Sequence, residues 1–244
     1  MHLDIKPAIL YFGTPVVLIS SLNEDGSTNL APMSSIWWLG WTAVIGLDAT
    51  SKTTENILRT GECVLNMPAG DMVEQVNKLA KTTGQNKVPL HKKALGYRYE
   101  KSKLETADLT SEPSLSINAP RIQECMVQLE AKLIKKMEVG SQDEKMAIPT
   151  VAFELQILKV HVDESVLVDG KKEYVDPDKW HPLIMSFRKF YTTNDYIHPS
   201  KLAVGDERQY APCKNKGVKR RLIQWLVKLN TKKYKKQINE DNDT

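Results

Sequence analysis

The sequence predicts a mainly β protein, an antiparallel barrel, closed or split, with a few short helices at its periphery and a basic helix at its C-terminal end. Three observations carry this expectation. At least six segments show strand patterning, and they follow one another mostly as hairpins. No strand–helix–strand alternation runs through the chain, which argues against a doubly wound parallel sheet. No G-x-G-x-x-G occurs, so the Rossmann dinucleotide fingerprint is absent. At 244 residues the chain is long enough for a sizeable core, and it contains no internal repeat.

Pro15-Val-Val-Leu-Ile-Ser-Ser-Leu22 is rich in β-branched residues and reads as a strand. Asn23-Glu-Asp-Gly26 is a turn, and Thr28 to Trp38 returns as the second strand of a hairpin. Ala43 to Leu47 is a third strand. Thr54 to Thr60 is a short helix stopped by Gly61, and Cys63 to Met67 is a fourth strand ended by Pro68. Asp71 to Lys81 places Met72, Val73, Val76, Leu79 and Ala80 on one helical face. Residues 82 to 120 are polar and poorly patterned, with three prolines and two glycines, and read as a long surface excursion of the kind that is usually functional. Cys125 to Leu133 alternates as a half-buried strand. Val151 to Val162 does the same until its apolar phase slips by one residue at Leu158, the mark of a bulge. Asp176 to Lys189, carrying Trp180, Leu183, Ile184 and Phe187, reads as a helix.

Charge and cysteines bound the setting. Residues 214–244 hold ten basic and three acidic residues, a net +7, which leaves the rest of the chain at −3. The body, expected as one domain over 1–213, is therefore slightly acidic, and specific DNA binding by it is not expected. In the tail, Val218, Leu222, Trp225, Leu226 and Leu229 share one helical face beside a basic one. Such a helix suits an acidic protein partner or an anionic membrane surface, here through residues 214–236, or RNA; it suits equally a helix docked on its own barrel. Cys63, Cys125 and Cys213 are widely spaced, and neither a disulfide scaffold nor a zinc site is indicated. With no apolar run long enough to span a bilayer and no signal-peptide layout at the N-terminus, a cytoplasmic setting is expected. G-x-S-x-G, H-E-x-x-H and Walker motifs are absent, and the five histidines are scattered.

Two segments carry the chemistry. Ser51-Lys-Thr-Thr-Glu-Asn56 gathers hydroxyls and a cation at a helix N-terminus, which suits an anion such as phosphate, although a lone Ser or Thr there is often only a cap. Asn29-Leu-Ala-Pro-Met-Ser34 is a strand interrupted by proline: either a flat wall offering backbone groups to a planar ring, or an ordinary edge strand. Trp37, Trp38 and Trp41 lie just beyond it and read as core or interface anchors more readily than as stacking partners.

The ordered set Pro15–Ser21, Asp25–Ser35, Ser51–Ile57 and Gly61–Pro68, followed by Ile122–Glu130 and Lys179–Ile184, resembles the flavin reductase-like FMN-binding split barrels, in their longer, flavoredoxin-like branch. The resemblance covers residues 10 to 205. It implies a split β-barrel homodimer holding FMN, ahead of FAD, near the subunit interface, with NAD(P)H as electron donor and free flavin, a partner protein or a small molecule as acceptor. By position it implies that Asn29, Ala31, Pro32, Met33, Ser34 and Ser35 line the ring and ribityl chain, and that Ser51, Lys52, Thr53 and Thr54 hold the phosphate. No acid or base residue is implied. The Asp-His pair that many short flavin reductases carry near their later strands is missing from Thr150–Val162, where His161 sits in another context. That departure keeps open a flavin-binding electron carrier, or a partner-docking module, without turnover of its own.

Overall fold

The computed structural model describes residues 2–7, 10–140, 149–194, 196–198 and 200. A short strand, β1 (Phe12–Pro15), precedes the β-branched run, which forms β2 (Val17–Leu22). The next turn is closed by the Gly26 N–H on the Asn23 carbonyl at 3.1 Å and returns the chain as β3 (Thr28–Met33). The single strand expected as far as Trp38 breaks at Ser34 and Ser35. β4 (Ile36–Leu39) then pairs with β5 (Thr42–Asp48). α1 (Lys52–Thr60) starts two residues before the expected Thr54 and ends where Gly61 adopts φ 72° and donates its N–H to the Ile57 carbonyl at 2.8 Å. This left-handed cap favours glycine, which has no Cβ to clash.

After β6 (Glu62–Met67), a 3-10 turn over Gly70–Met72 leads into α2 (Val73–Lys78). The excursion from 82 to 120 is ordered by short pieces: β7 (Thr82–Thr83), α3 (Leu90–Ala94), β8 (Arg98–Tyr99), α4 (Lys103–Thr106) and β9 (Ser111–Glu112). β10 (Arg121–Ile122) pairs back on β9. β11 (Val127–Val139) and β12 (Thr150–Val162) make a long hairpin, and β13 (Ile184–Ser186) and β14 (Lys189–Tyr191) a short one against β1.

Seven strands form one antiparallel sheet in the order β3-β2-β6-β11-β12-β5-β4, curled as a split barrel. Ile19, Ile45, Leu65, Phe153 and Leu155 fill its interior. A second cluster, with Leu18, Leu30, Leu79, Ile122 and Leu183, brings together β2, β3 and the segments outside the barrel. β2 is buried on both faces, with Val17 and Ile19 in one cluster and Leu18 in the other, so it reads as a continuous apolar run. Each such side chain contributes about 1.5–3 kcal/mol relative to exposure. The phase slip in β12 is a bulge: Glu130 pairs with Lys159 and Ala131 with Ile157, leaving Leu158 unpaired. A second slip leaves Ile134 unpaired on β11. Extra residues of this kind bend and twist a strand pair, as closing a barrel requires.

Two expected helices are corrected. Residues 176–189 form a single turn, closed by the Trp180 N–H on the Asp176 carbonyl at 3.0 Å, then run extended as far as Ser186 and turn back at Phe187 and Arg188. Pro182 has no N–H and its ring obstructs a helix. Strand-like partners take the backbone instead: Leu183 N–H donates to Pro68 O at 3.0 Å and Val16 N–H to Leu183 O at 2.8 Å. The helix expected over 71–81 is shortened to Val73–Lys78, and Lys81 takes φ 54°. Cys125 precedes β11 rather than lying within it; it and Cys63 are buried, and burial pushes the Cys63 thiol up to about 12. The tail over 214–244, its amphipathic helix, Cys213 and the 213/214 domain boundary lie outside the described residues.

Candidate functional site

The N-terminus of α1 is capped from within. Ser51 accepts the Thr54 N–H on its Oγ at 3.1 Å and lies 2.9 Å from Thr54 Oγ1, which donates to the Asp48 carbonyl at 2.8 Å. Lys52 is held by two carboxylates, Glu24 at 2.7 Å and Glu55 at 2.9 Å. Burial pulls the Lys52 ammonium down, but Glu24 and Glu55 outweigh it and hold it above its ordinary value. Hydrogen bonding from Lys52 holds the Glu24 carboxyl at about 2. Thr53 is buried and accepts the Asn29 amide N–H on its Oγ1 at 3.0 Å, which ties α1 to β3.

Beside this junction opens a cleft of about 640 Å3, between β3, the start of α1, the 79–84 segment and the β13–β14 turn. It is lined by seven of the ten residues singled out in the sequence: Asn29, Ala31, Pro32, Met33, Ser51, Lys52 and Thr53. Ser34 lines an adjoining cavity of about 370 Å3 that shares Pro32, Met33 and Arg188 with the cleft. Ser35 and Thr54 line neither: Ser35 packs on Gly46 and pairs with the Tyr11 hydroxyl at 2.5 Å, and Thr54 turns to the Asp48 carbonyl. β3 is an edge of the seven-stranded sheet, so one side of its backbone is free of strand pairing, and Pro32, which has no N–H, sits where a sheet tolerates proline.

The cleft is polar and cationic at the α1 end. Asn29 is 1 % exposed, and its Oδ1 is buried with no hydrogen-bond partner. Gly84 faces the same atom and leaves it room: a Cβ there would stand 2.5 Å from Asn29 Oδ1 and 3.0 Å from Lys52 Cγ. Lys103, 3 % exposed, donates from Nζ to the Leu30 carbonyl at 2.8 Å, and burial brings its ammonium down to about 8. Lys92 is also buried, with Nζ 3.1 Å from Asp48 Oδ2. Burial would raise the Asp48 carboxyl, but hydrogen bonds from Thr50 and Lys92 outweigh it and keep it low. Lys81 and Arg188, which also line the cleft, are two of four non-glycine residues with positive φ among the described residues. Backbone strain of this kind concentrates at functional sites.

Lys81, Gly84, Lys92, Lys103 and Arg188 were not legible as site residues. The first four fall in or beside a stretch with no apolar period, and Arg188 falls inside the helix that does not form. The one signal was the length of the 82–120 excursion. Trp38 packs against the barrel core, while Trp37 and Trp41 are exposed. The His181 ring lies 2.6 Å from the Thr193 carbonyl. His161 faces the buried Glu130 at 2.7 Å, outside the cleft. Burial would raise the Glu130 carboxyl, but the Leu115 and Ser116 N–H groups and His161 keep it below the usual range. Among the described residues no group of three or more metal-ligating side chains comes together, and no helix is long and apolar enough to cross a membrane.

The fold is a split barrel with a cationic cleft against a proline-bearing edge strand, and comparison with known proteins gives its family. The model of the flavin reductase like domain matches residues 9–194. The chain belongs to the flavin reductase-like family, and flavin is the cofactor that membership supports. An uncharacterised protein of Bacillus subtilis, YdfE, is 38% identical over 188 residues, 77% of this chain and 87% of the relative. Among solved structures, flavoredoxin of Desulfovibrio vulgaris matches with a TM-score of 0.67 at 21% identity, covering 83% of this chain and 99% of that one. Nitrilotriacetate monooxygenase component B from Bacillus cereus matches with a TM-score of 0.62 at 17% identity, covering 82% and 99%. At such identities the two structures speak for the fold alone.

Proposed function

We propose that the cleft holds FMN and that the protein is an oxidoreductase, carrying electrons from NAD(P)H to free flavin, a partner protein or a small acceptor. The observation that carries the proposal is the buried, unpartnered Asn29 Oδ1, on the strand whose Ala31–Met33 also line the cleft and beside Thr53, in a cleft that Lys92 and Lys103 line as well. The cleft volume lies within the range of about 300–1,000 Å3 typical of small-molecule sites. Bound FMN would supply a two-electron carrier that accepts hydride; the protein supplies orientation and electrostatics.

The residues divide that work by position. Ala31, Pro32 and Met33 offer a flat wall for the ring, and Asn29 keeps a free acceptor for a donor on the flavin. Ser51 and Thr53, with Lys92 and Lys103 behind them, form the anion-receiving end. Lys52 strengthens that end indirectly, since its charge is shared with Glu24 and Glu55. Exposed Phe12, Trp37 and Leu39, on the neighbouring strands β1 and β4, support a homodimer. A cytoplasmic setting, and an acidic or membrane partner for the tail, belong to the same proposal.

The pairing of His161 with Glu130, outside the cleft, favours a second reading: a flavin-binding electron carrier that a partner reduces. Anaerobic titration of the holoprotein with NADH and with NADPH separates the two. Bleaching of the flavin band by either donor supports the reductase, whereas bleaching by neither leaves the carrier.

A further inference from the structure

The β13–β14 hairpin turns through Phe187 and Arg188 alone, since Ser186 pairs with Lys189. Both turn residues have positive φ, 43° and 70°. Two-residue turns of this pattern are normally filled by Asn-Gly, because a side chain beyond Cβ is strained there. The strain is held in place from β1 and the residue before it. Phe187 donates its N–H to the Tyr11 carbonyl at 2.9 Å, and its ring meets Phe12 edge-on at 4.8 Å between centroids. The turn therefore keeps a costly conformation that presents Arg188 to both the cleft and the adjoining cavity. The guanidinium is exposed and has no hydrogen-bond or ion-pair partner among the described residues. The adjoining cavity, about 370 Å3, is otherwise lined by apolar and neutral groups such as Val16, Met33, Val76, Met185 and Phe190.

We propose that Arg188 is the specificity-determining residue for the molecule that exchanges electrons with the bound flavin, and that it recognises a planar ring carrying one anionic group. The inference rests on the flavin reading above. An apolar cavity with a single cation selects a flat apolar body with one anion, and a guanidinium fork pairs bidentately with either phosphate or carboxylate. The anion can belong to a nucleotide phosphate, on the donor side, or to an aromatic acid, on the acceptor side. The flavin reading gives the anionic end of the flavin to Thr53 and Lys103, which leaves Arg188 for the second molecule.

The test uses flavin-loaded full-length protein, with flavin content measured in every sample. Nicotinamide mononucleotide is compared with nicotinamide riboside, and benzoate with benzamide, by perturbation of the flavin absorbance. In at least one pair the anion is expected to bind about tenfold or more tightly than its neutral analogue, as hydrogen bonds to charged groups allow. The pair that responds identifies the source. Arg188→Gly abolishes the preference, and Arg188→Lys keeps part of it. Because glycine relieves the positive φ, Arg188→Gly also raises the melting temperature by about 2–4 °C. Equal binding of anion and neutral analogue by the wild-type holoprotein overturns the inference alone. So does an anion preference that survives in Arg188→Gly, or a lower melting temperature in that variant. Wild-type protein that takes up no flavin overturns the flavin reading with it.

Discussion

Asn29 ties the edge strand to the α1 N-terminus through Thr53 and still keeps a buried acceptor free, and Gly84 leaves that acceptor its space. Gly84→Ala would place a methyl group 2.5 Å from Asn29 Oδ1, and because Asn29 is buried the amide has little room to yield. The expected result is a loss of FMN affinity of about tenfold with a stability cost of about 1–2 kcal/mol, typical of an overpacked site; flavin titration and urea denaturation read the two. Lys103 adds a pH dependence. Its folded value, brought down to about 8 by burial, lies below the ordinary 10.5, so between those values the unfolded chain holds a proton that the folded chain has released. Stability contributed by this group therefore rises with pH across that window, and the full cost of burying the charge is present below it. Binding runs the other way: FMN affinity is level from about pH 7, where the phosphate is doubly ionised, to about pH 8 and falls above it as Lys103 loses its proton, Lys103→Met binds weakly across that range, and riboflavin, which has no phosphate, shows no such fall. A riboflavin profile that matches FMN would show that Lys103 does not serve the phosphate.

At the scale of elements, α1 is both a cap and a wall. Ser51→Ala removes the hydrogen bond to the Thr54 N–H and is expected to cost about 1 kcal/mol in chemical denaturation. Glu24→Gln releases one of the two carboxylates on Lys52 and should raise affinity for FMN while leaving that for riboflavin unchanged, in the same titrations. The elements that could be read from sequence are those whose signals are local. The Leu158 phase slip marked the bulge, Gly61 marked the end of α1, and the β-branched run marked β2. Where a distant segment decides the backbone, local patterning misled. The apolar positions of 176–189 suited a helix, but Pro182 and the partners at Pro68 and Val16 made them extended. The cations of the cleft were hidden for the same reason: Lys92 and Lys103 are buried only because α3 and α4 fold back over Asp48 and Leu30.

For the whole molecule, Phe12, Trp37 and Leu39, on the neighbouring strands β1 and β4, are 55–75% accessible in the single chain, and exposed apolar side chains that lie near one another suit a protein interface. Sedimentation should therefore show a dimer, and Trp37→Glu with Leu39→Glu should shift it to monomer; a wild-type monomer at micromolar concentration would remove the dimer from the proposal. The barrel itself was legible in the succession of hairpins. The flavin expectation came only from the order of four motifs, because the walls of the cleft come from segments as far apart as Asn29 and Arg188. The central claim, that this cleft holds FMN, meets its most direct test in the absorbance spectrum of the purified protein with the released flavin identified. The account predicts a yellow protein that releases FMN at close to one per chain. A colourless protein that takes up no added FMN would contradict it.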